Sequence, residues 1–174
     1  MKNLNWHHIK LSENTIIKPF ESEDEELNDF LFNDAKKYLS SLLSVPYLIQ
    51  TEDETIAYYC LANDRVVKDD EEKTIWNKLN RVIANEKRRK SYPAVKIGRL
   101  AVSMKYTGMG FGKFIIQAIR EMYTNNQQSG CRFITVDAYA NALGFYEKNR
   151  FNYLTDKDRT HETRAMYFDL KTLN

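Results

Sequence analysis

The 174-residue sequence predicts an α/β fold: a mixed, mostly antiparallel β-sheet with helices on both faces. Three observations predict it. Residues 95–104 are rich in β-branched and apolar side chains and read as a mostly buried strand, while Phe111, Ile115, Ala118, Ile119 and Met122 recur at helical spacing directly afterwards. Beyond Ser129-Gly130, residues 131–138 read as a second strand of the buried type, so strand, helix and strand follow one another as a right-handed parallel crossover. Upstream, residues 47–51 and 55–62 are strand-like runs separated by the acidic turn Glu52-Asp53-Glu54, which is a hairpin signal.

Taken in order, the opening to Phe20 holds one short strand over 15–18. Ser22 with Glu25 makes a capping box, and Leu27, Phe30, Leu31, Ala35, Tyr38, Leu39 and Leu42 follow at helical spacing to about Ser44, where Pro46 stops the helix. After the hairpin the pattern is helical again from Asp69, with Ile75, Trp76, Leu79, Val82 and Ile83 on one face. It ends in the basic run Lys87-Arg88-Arg89-Lys90 ahead of Pro93. A short helix over 141–149 and closing strands over 151–154 and 163–170 complete the chain. No repeat, low-complexity tract or linker divides it, and a single domain over 1–174 is expected.

Composition narrows the function classes. With 43% apolar and 13% aromatic residues the chain can build a core. A net charge of +2, from 26 basic against 24 acidic residues, supplies no global field toward nucleic acid or an anionic membrane, so any basic surface must be local. No apolar run has the length of a membrane span and residues 1–10 are polar, which predicts a cytoplasmic protein with no membrane partner. Cys60 and Cys131 make no disulfide framework and read as buried thiols. His7, His8 and His161 lack metal-ligand spacing, so no metal is assigned.

The chemistry centres on the junction between the 95–104 strand and the helix after it. Gly108, Gly110 and Gly112 alternate there, removing the Cβ atoms that would stop the backbone from bending sharply and approaching a ligand. The helix points its unpaired N–H groups and positive dipole end back at this loop, a seat for phosphate. A P-loop would need Ser or Thr after Gly112-Lys113, where Phe114 stands. A dinucleotide fingerprint would want its third glycine at Lys113. A plain tight turn is the other reading.

The second constellation is Asn141-Ala-Leu-Gly-Phe-Tyr-Glu-Lys-Asn-Arg-Phe151. With Thr107-Gly-Met-Gly-Phe-Gly112 ahead of it, the chain resembles the GCN5-related N-acetyltransferases over about 16–170. Their cofactor loop has the form Gln/Arg-x-x-Gly-x-Gly/Ala, and a later helix carries Phe-Tyr-Glu-Lys-x-Gly-Phe. The resemblance implies a GNAT-like sheet that opens between the central strand and the 131–138 strand. It implies acetyl-CoA as cosubstrate, with the strand backbone at Leu100, Ala101 and Val102 pairing with the pantetheine arm. The pyrophosphate is implied to sit on Gly108, Met109, Gly110, Phe111, Gly112 and Lys113. Thr107 stands where the family has Gln or Arg, and Lys105 or Lys113 is expected to replace that contact. Arg150 stands where the family has glycine.

Tyr146 aligns with the family's general acid. A phenol with pKa near 10 suits a leaving thiolate of similar basicity, and the alternative is that Tyr146 simply packs. Asn141 is expected near the pantetheine. No carboxylate stands out as base, which leaves the amine to a water chain. The activity implied is transfer of an acetyl group to a small-molecule or protein amine, with a noncatalytic acyl-CoA-binding module as the rival.

A narrower resemblance rests on Phe20-Glu-Ser-Glu, Leu27-Asn-Asp-Phe-Leu with Ala35, Ala57-Tyr-Tyr-Cys-Leu, and Tyr92-Pro ahead of Gly98-Arg-Leu-Ala-Val102. It is to the branch of toxins that acetylate the amino acid of charged tRNA. It implies tRNA and a ribbon-helix-helix antitoxin as partners, and allows a homodimer. Lys87 to Lys90, Arg99, Lys148 and Arg150 would then meet RNA phosphates. The plainer reading of the basic run is a solvated helix end.

Overall fold

A computed structural model describes residues 4–67, 76–77, 90–125 and 129–173. Its elements are strand β1 (His7–Lys10), helix α1 (Glu25–Asp29), a π-helical turn (Phe30–Asp34), α2 (Ala35–Ser40), β2 (Val45–Gln50), β3 (Thr55–Val67) and β4 (Ser91–Val102). A 3₁₀ turn (Met104–Tyr106), α3 (Phe111–Asn125), β5 (Phe133–Tyr139), a 3₁₀ turn (Ala140–Ala142), α4 (Leu143–Lys148), β6 (Asn152–Tyr153) and β7 (Thr163–Asp169) follow. The strands form a seven-stranded sheet in the order β1-β2-β3-β4-β5-β7-β6. The pairs β1/β2, β2/β3, β5/β7 and β6/β7 are antiparallel. Between β4 and β5 the contacts climb together, from Arg132 N–H on the Pro93 carbonyl, through Thr135 on Val95, to Lys96 on Asp137. That pair is parallel, as a strand-helix-strand crossover requires.

By contacts the chain forms two compact units, one of residues 1–62 with 97–119 and the other of 63–96 with 120–174. In the first, Phe30, Leu31 and Ala35 on the inner face of the helical segment bury against Leu48, Tyr58, Cys60 and Ala101. Tyr58 lies fully inside and its O–H donates to the Leu27 carbonyl at 2.7 Å, tying sheet to helix. In the second, Val66, Trp76, Tyr92, Ala94, Phe133 and Tyr167 form one cluster, with Trp76 stacked on Tyr92 at 5.3 Å.

Several sequence expectations shift. Residues 15–18 are not a strand; the first strand is His7–Lys10, paired with β2, and Ile16 is exposed. The carbonyls of Lys18 and Pro19 instead take hydrogen bonds from Thr55, so this segment crosses the hairpin rather than joining its ladder. The N-cap of α1 is Asp24, whose carboxylate accepts from Glu26 and Leu27 N–H, while Ser22 is held by Asn28. The helix stops at Ser40, well before Pro46. Leu42 turns left-handed at φ 58°, with Leu43 N–H on the Tyr38 carbonyl and Leu42 N–H on that of Leu39, a Schellman ending. β3 runs on to Val67. Of the helix expected from Asp69, Trp76 and Asn77 are helical; Lys87, Arg88 and Arg89 lie outside the described residues.

Candidate functional site

β4 delivers the chain to the glycine loop along fixed contacts: Ser103 N–H bonds the Ile56 carbonyl and Met104 N–H that of Glu21. The 3₁₀ turn then winds back on itself, with Tyr106 N–H on Ser103, Thr107 N–H on Met104 and Met109 N–H on Tyr106. Gly108 and Gly110 adopt φ 78° and 91°. A Cβ on Gly108 would meet nothing within 4 Å, so the left-handed backbone, not crowding, calls for glycine there. The first helical hydrogen bond of α3 is Phe114 N–H to the Gly110 carbonyl at 3.0 Å. The N–H groups of Phe111, Gly112 and Lys113 therefore precede the helical ladder, and Gly110 has no side chain to cap them. Residues 107–110 are exposed, and so is Lys113 in the first helical turn, where a cation opposes the dipole unless an anion joins it. Donors, dipole and Lys113 together fit a phosphate group.

Aromatic packing fixes this loop from below. Tyr106 and Phe111 are buried edge-to-face at 5.9 Å, and Trp6 meets Phe111 at 6.0 Å and Phe114 at 4.9 Å. The Tyr106 hydroxyl donates to Glu54 at 2.6 Å, and the Lys105 ammonium pairs with the same carboxylate. The hydrogen bond from Lys105, then that from Tyr106, hold Glu54 below the usual carboxylate range, and Glu54 in turn raises Lys105. Of the two lysines expected to stand in for the family's Gln or Arg, Lys105 is thus occupied by Glu54. Thr107 donates to the Ser103 carbonyl at 3.3 Å, inside the turn. Along β4, Ala101 is buried in the core while Leu100 and Val102 are half-buried on the other face.

Asn141 and Tyr146 belong to the second unit; Leu100, Ala101, Val102, Lys105 and residues 107–113 all belong to the first. Asn141 is exposed in the 3₁₀ turn after β5. Tyr146 is 5% exposed, on a helix only six residues long. The end of that helix is fully specified. Phe151 N–H bonds the Tyr146 carbonyl at 3.0 Å and Arg150 N–H that of Glu147 at 2.8 Å, a Schellman motif in which Arg150, at φ 64°, takes the left-handed position. The Phe151 ring packs edge-on to the Tyr146 ring at 5.2 Å, the apolar contact that accompanies this motif. Burial pushes the Tyr146 phenol well above its ordinary value, so it is a neutral O–H at every physiological pH.

Sequence reasoning missed Glu54, Tyr106 and Arg120 as members of these constellations, and gave Asn149, inside the second motif, no role. Glu54 lies 52 residues from Tyr106 and Arg120 29 from Asn149, separations that leave no local pattern. Arg99, nominated for RNA, is half-buried, stacked over Phe30 at 4.0 Å and paired with Glu26 at 3.3 Å. Lys148 and Arg150 are exposed. Among the described residues no helix is long and apolar enough to cross a membrane, and no three His, Cys, Asp or Glu residues are grouped to hold a metal.

The fold is shared with solved structures. A bacterial toxin superposes with a TM-score of 0.79 at 13% identity, over 98% of this chain and 93% of that one. AtaT in complex with acetyl-methionyl-tRNAfMet gives 0.78 at 19%, over 97% of both chains, and a Tyr-to-Phe variant of KacT gives 0.76 at 18%, over 97% and 96%. Among curated proteins none matches the sequence significantly. The profile of the acetyltransferase (GNAT) domain matches residues 70–166, more than half of the chain. The Thr107 to Gly112 loop and the Phe145 to Phe151 helix both fall within that match, and the chain belongs to the GNAT family of acetyltransferases.

Proposed function

We propose that this chain transfers the acetyl group of acetyl-CoA to the α-amine of an amino acid esterified to tRNA. The observation that supports this acceptor is the likeness in fold to AtaT bound to acetyl-methionyl-tRNAfMet, matched over 97% of both chains. AtaT is also known with acetyl-CoA and the C-terminus of the antitoxin AtaR, and KacTA with DNA. A small ribbon-helix-helix antitoxin is the partner this reading supplies.

In the proposed reaction the N–H groups at the start of α3, with Lys113, hold the pyrophosphate, and the β4 backbone at 100–102 lines up the pantetheine arm. The neutral amine attacks the thioester carbon, the C–S bond breaks, and its electron pair leaves on sulfur. Tyr146 O–H gives that sulfur its proton, the amine loses one to water, and a proton from that water restores the phenol. A phenol kept neutral by burial is always loaded for this step, though its raised pKa makes it a weaker acid than free tyrosine.

The test is acetylation of bulk aminoacyl-tRNA with labelled acetyl-CoA, run beside filter binding at two salt concentrations. Label in the aminoacyl fraction, with binding that weakens steeply as salt rises, is expected. Label passing only to small amines such as polyamines, with no RNA retained at low salt, would replace the acceptor while leaving the acetyltransferase.

A further inference from the structure

A helix of six residues has no stability of its own, so whatever holds its ends decides where its side chains point. The N-terminal end of α4 has no side-chain cap. The C-terminal end is accounted for almost carbonyl by carbonyl. Phe145 receives Asn149 N–H and Nδ2, Tyr146 receives Asn149 and Phe151 N–H, and Glu147 receives Arg150 N–H. The cap carbonyl itself, on Asn149, receives a guanidinium N–H of Arg120 from the last turns of α3. The Cζ of that guanidinium lies over the Phe168 ring, 3.8 Å from its centroid, Phe168 lies 5.8 Å from Phe151, and Phe151 abuts Tyr146. One cation therefore grips both the backbone that ends the helix and, through two rings, the side of the phenol.

Arg120 is an expensive way to close a turn. Its Nε is buried with no partner among the described residues, and burial, followed by the nearby Arg150, lowers its proton affinity. An apolar residue would fill the space without stranding a donor. We propose that Arg120 is a positioning residue for transfer: it fixes the register of α4 so that the Tyr146 hydroxyl sits where the leaving sulfur needs a proton. This rests on the reading of Tyr146 as the acid.

Arg120→Gln and Arg120→Lys, each alone and combined with Tyr146→Phe, test it, after circular dichroism confirms that each is folded. Turnover is followed by thiol release with whichever acceptor above is active. In parallel, ¹⁹F spectra of fluorotyrosine-labelled protein, with the Tyr146 signal identified by its loss in Tyr146→Phe, need no acceptor. Arg120→Gln should lower kcat about 10-fold with KM for acetyl-CoA within about twofold, and move the Tyr146 signal; in the Tyr146→Phe background it should cost less than about twofold more. Arg120→Lys, which keeps the charge and a donor, should recover part of the loss. An unmoved signal in folded Arg120→Gln, or an equal loss in both backgrounds, overturns the positioning role. Wild-type turnover in Tyr146→Phe alone overturns the acid reading, and the fluorine shift then still reports whether Arg120 places the ring.

Discussion

Two left-handed turns flank the two candidate constellations, and they are built oppositely. In the 107–112 loop the positive φ angles belong to Gly108 and Gly110, and the N–H groups beyond them are left outside any ladder. In the turn after α4 the positive φ belongs to Arg150, and Arg150 and Phe151 N–H both close onto the helix. A loop that must receive a ligand keeps its donors free and its Cβ atoms absent. A turn that only has to stop a helix spends its donors internally, and can then tolerate a side chain whose left-handed backbone costs about 1–2 kcal/mol. The difference separates a binding device from a holding device.

Gly110→Asp attacks the first turn at its purpose, adding a Cβ at φ 91° and a negative charge beside the α3 N-terminus. Acetyl-CoA affinity should fall by about 10²-fold or more while the fold survives, because Gly110 is itself exposed. Isothermal titration of the folded variant reads this, and unchanged affinity would mean the pyrophosphate is held elsewhere.

Next in size is Tyr146→Phe, which removes one hydroxyl from the held side and leaves the Phe151 packing in place. kcat should drop roughly 10²-fold with little change in KM for acetyl-CoA, if proton delivery to sulfur limits the rate. The raised phenol pKa adds a signature: no loss of kcat from ionisation of Tyr146 should appear as pH climbs to 10. A basic limb near the ordinary tyrosine value would place this phenol in a wetter setting than its burial implies.

The third change exchanges the logic of the two turns. Arg150→Gly gives the held turn the residue its φ of 64° prefers, so stability should rise by about 0.5–1 kcal/mol, the relieved strain less the greater freedom of glycine when unfolded. Thermal unfolding of the two proteins measures it. A loss instead would show that the exposed Arg150 side chain does more for the fold than its backbone costs.

This contrast also explains what the sequence could and could not disclose. The glycine loop, the crossover and the Phe-Tyr-Glu-Lys helix were legible because each is written in consecutive residues whose spacing has a physical meaning. The first strand was misplaced because Thr15 to Lys18 has the residue types of a strand. His7–Lys10, with two histidines and a lysine, earns its strand only from pairing with β2. The helix end at Ser40 was overrun because Leu42 adopts a conformation that composition assigns to glycine. The contacts of Glu54 with Tyr106 and of Arg120 with Asn149 exist only after folding, so no window of sequence contains them.

The smallest expected effect concerns pH and should distinguish the two regions. His8, on β1, is half-buried, with its Nε2 hydrogen-bonded to the Tyr59 hydroxyl at 2.9 Å and its ring 5.9 Å from Phe114 of α3. Burial lowers its pKa below the ordinary 6.5, so the folded state favours the neutral ring. Above 6.5 the ring is neutral in both states and its contribution is complete; as pH falls below 6.5 the unfolded chain takes up a proton that the folded chain resists, and stability is lost until the folded pKa is passed. The loss is modest because the ring remains partly in water. Hydrogen-exchange protection of β1 and of α3 from Phe114 onward, corrected for the intrinsic pH dependence of amide exchange, should therefore fall between pH 6.5 and 5.5, while that of α4 and its turn holds steady. In His8→Asn the pH dependence should vanish. An equal loss of protection in both regions would assign the acid sensitivity to some other group.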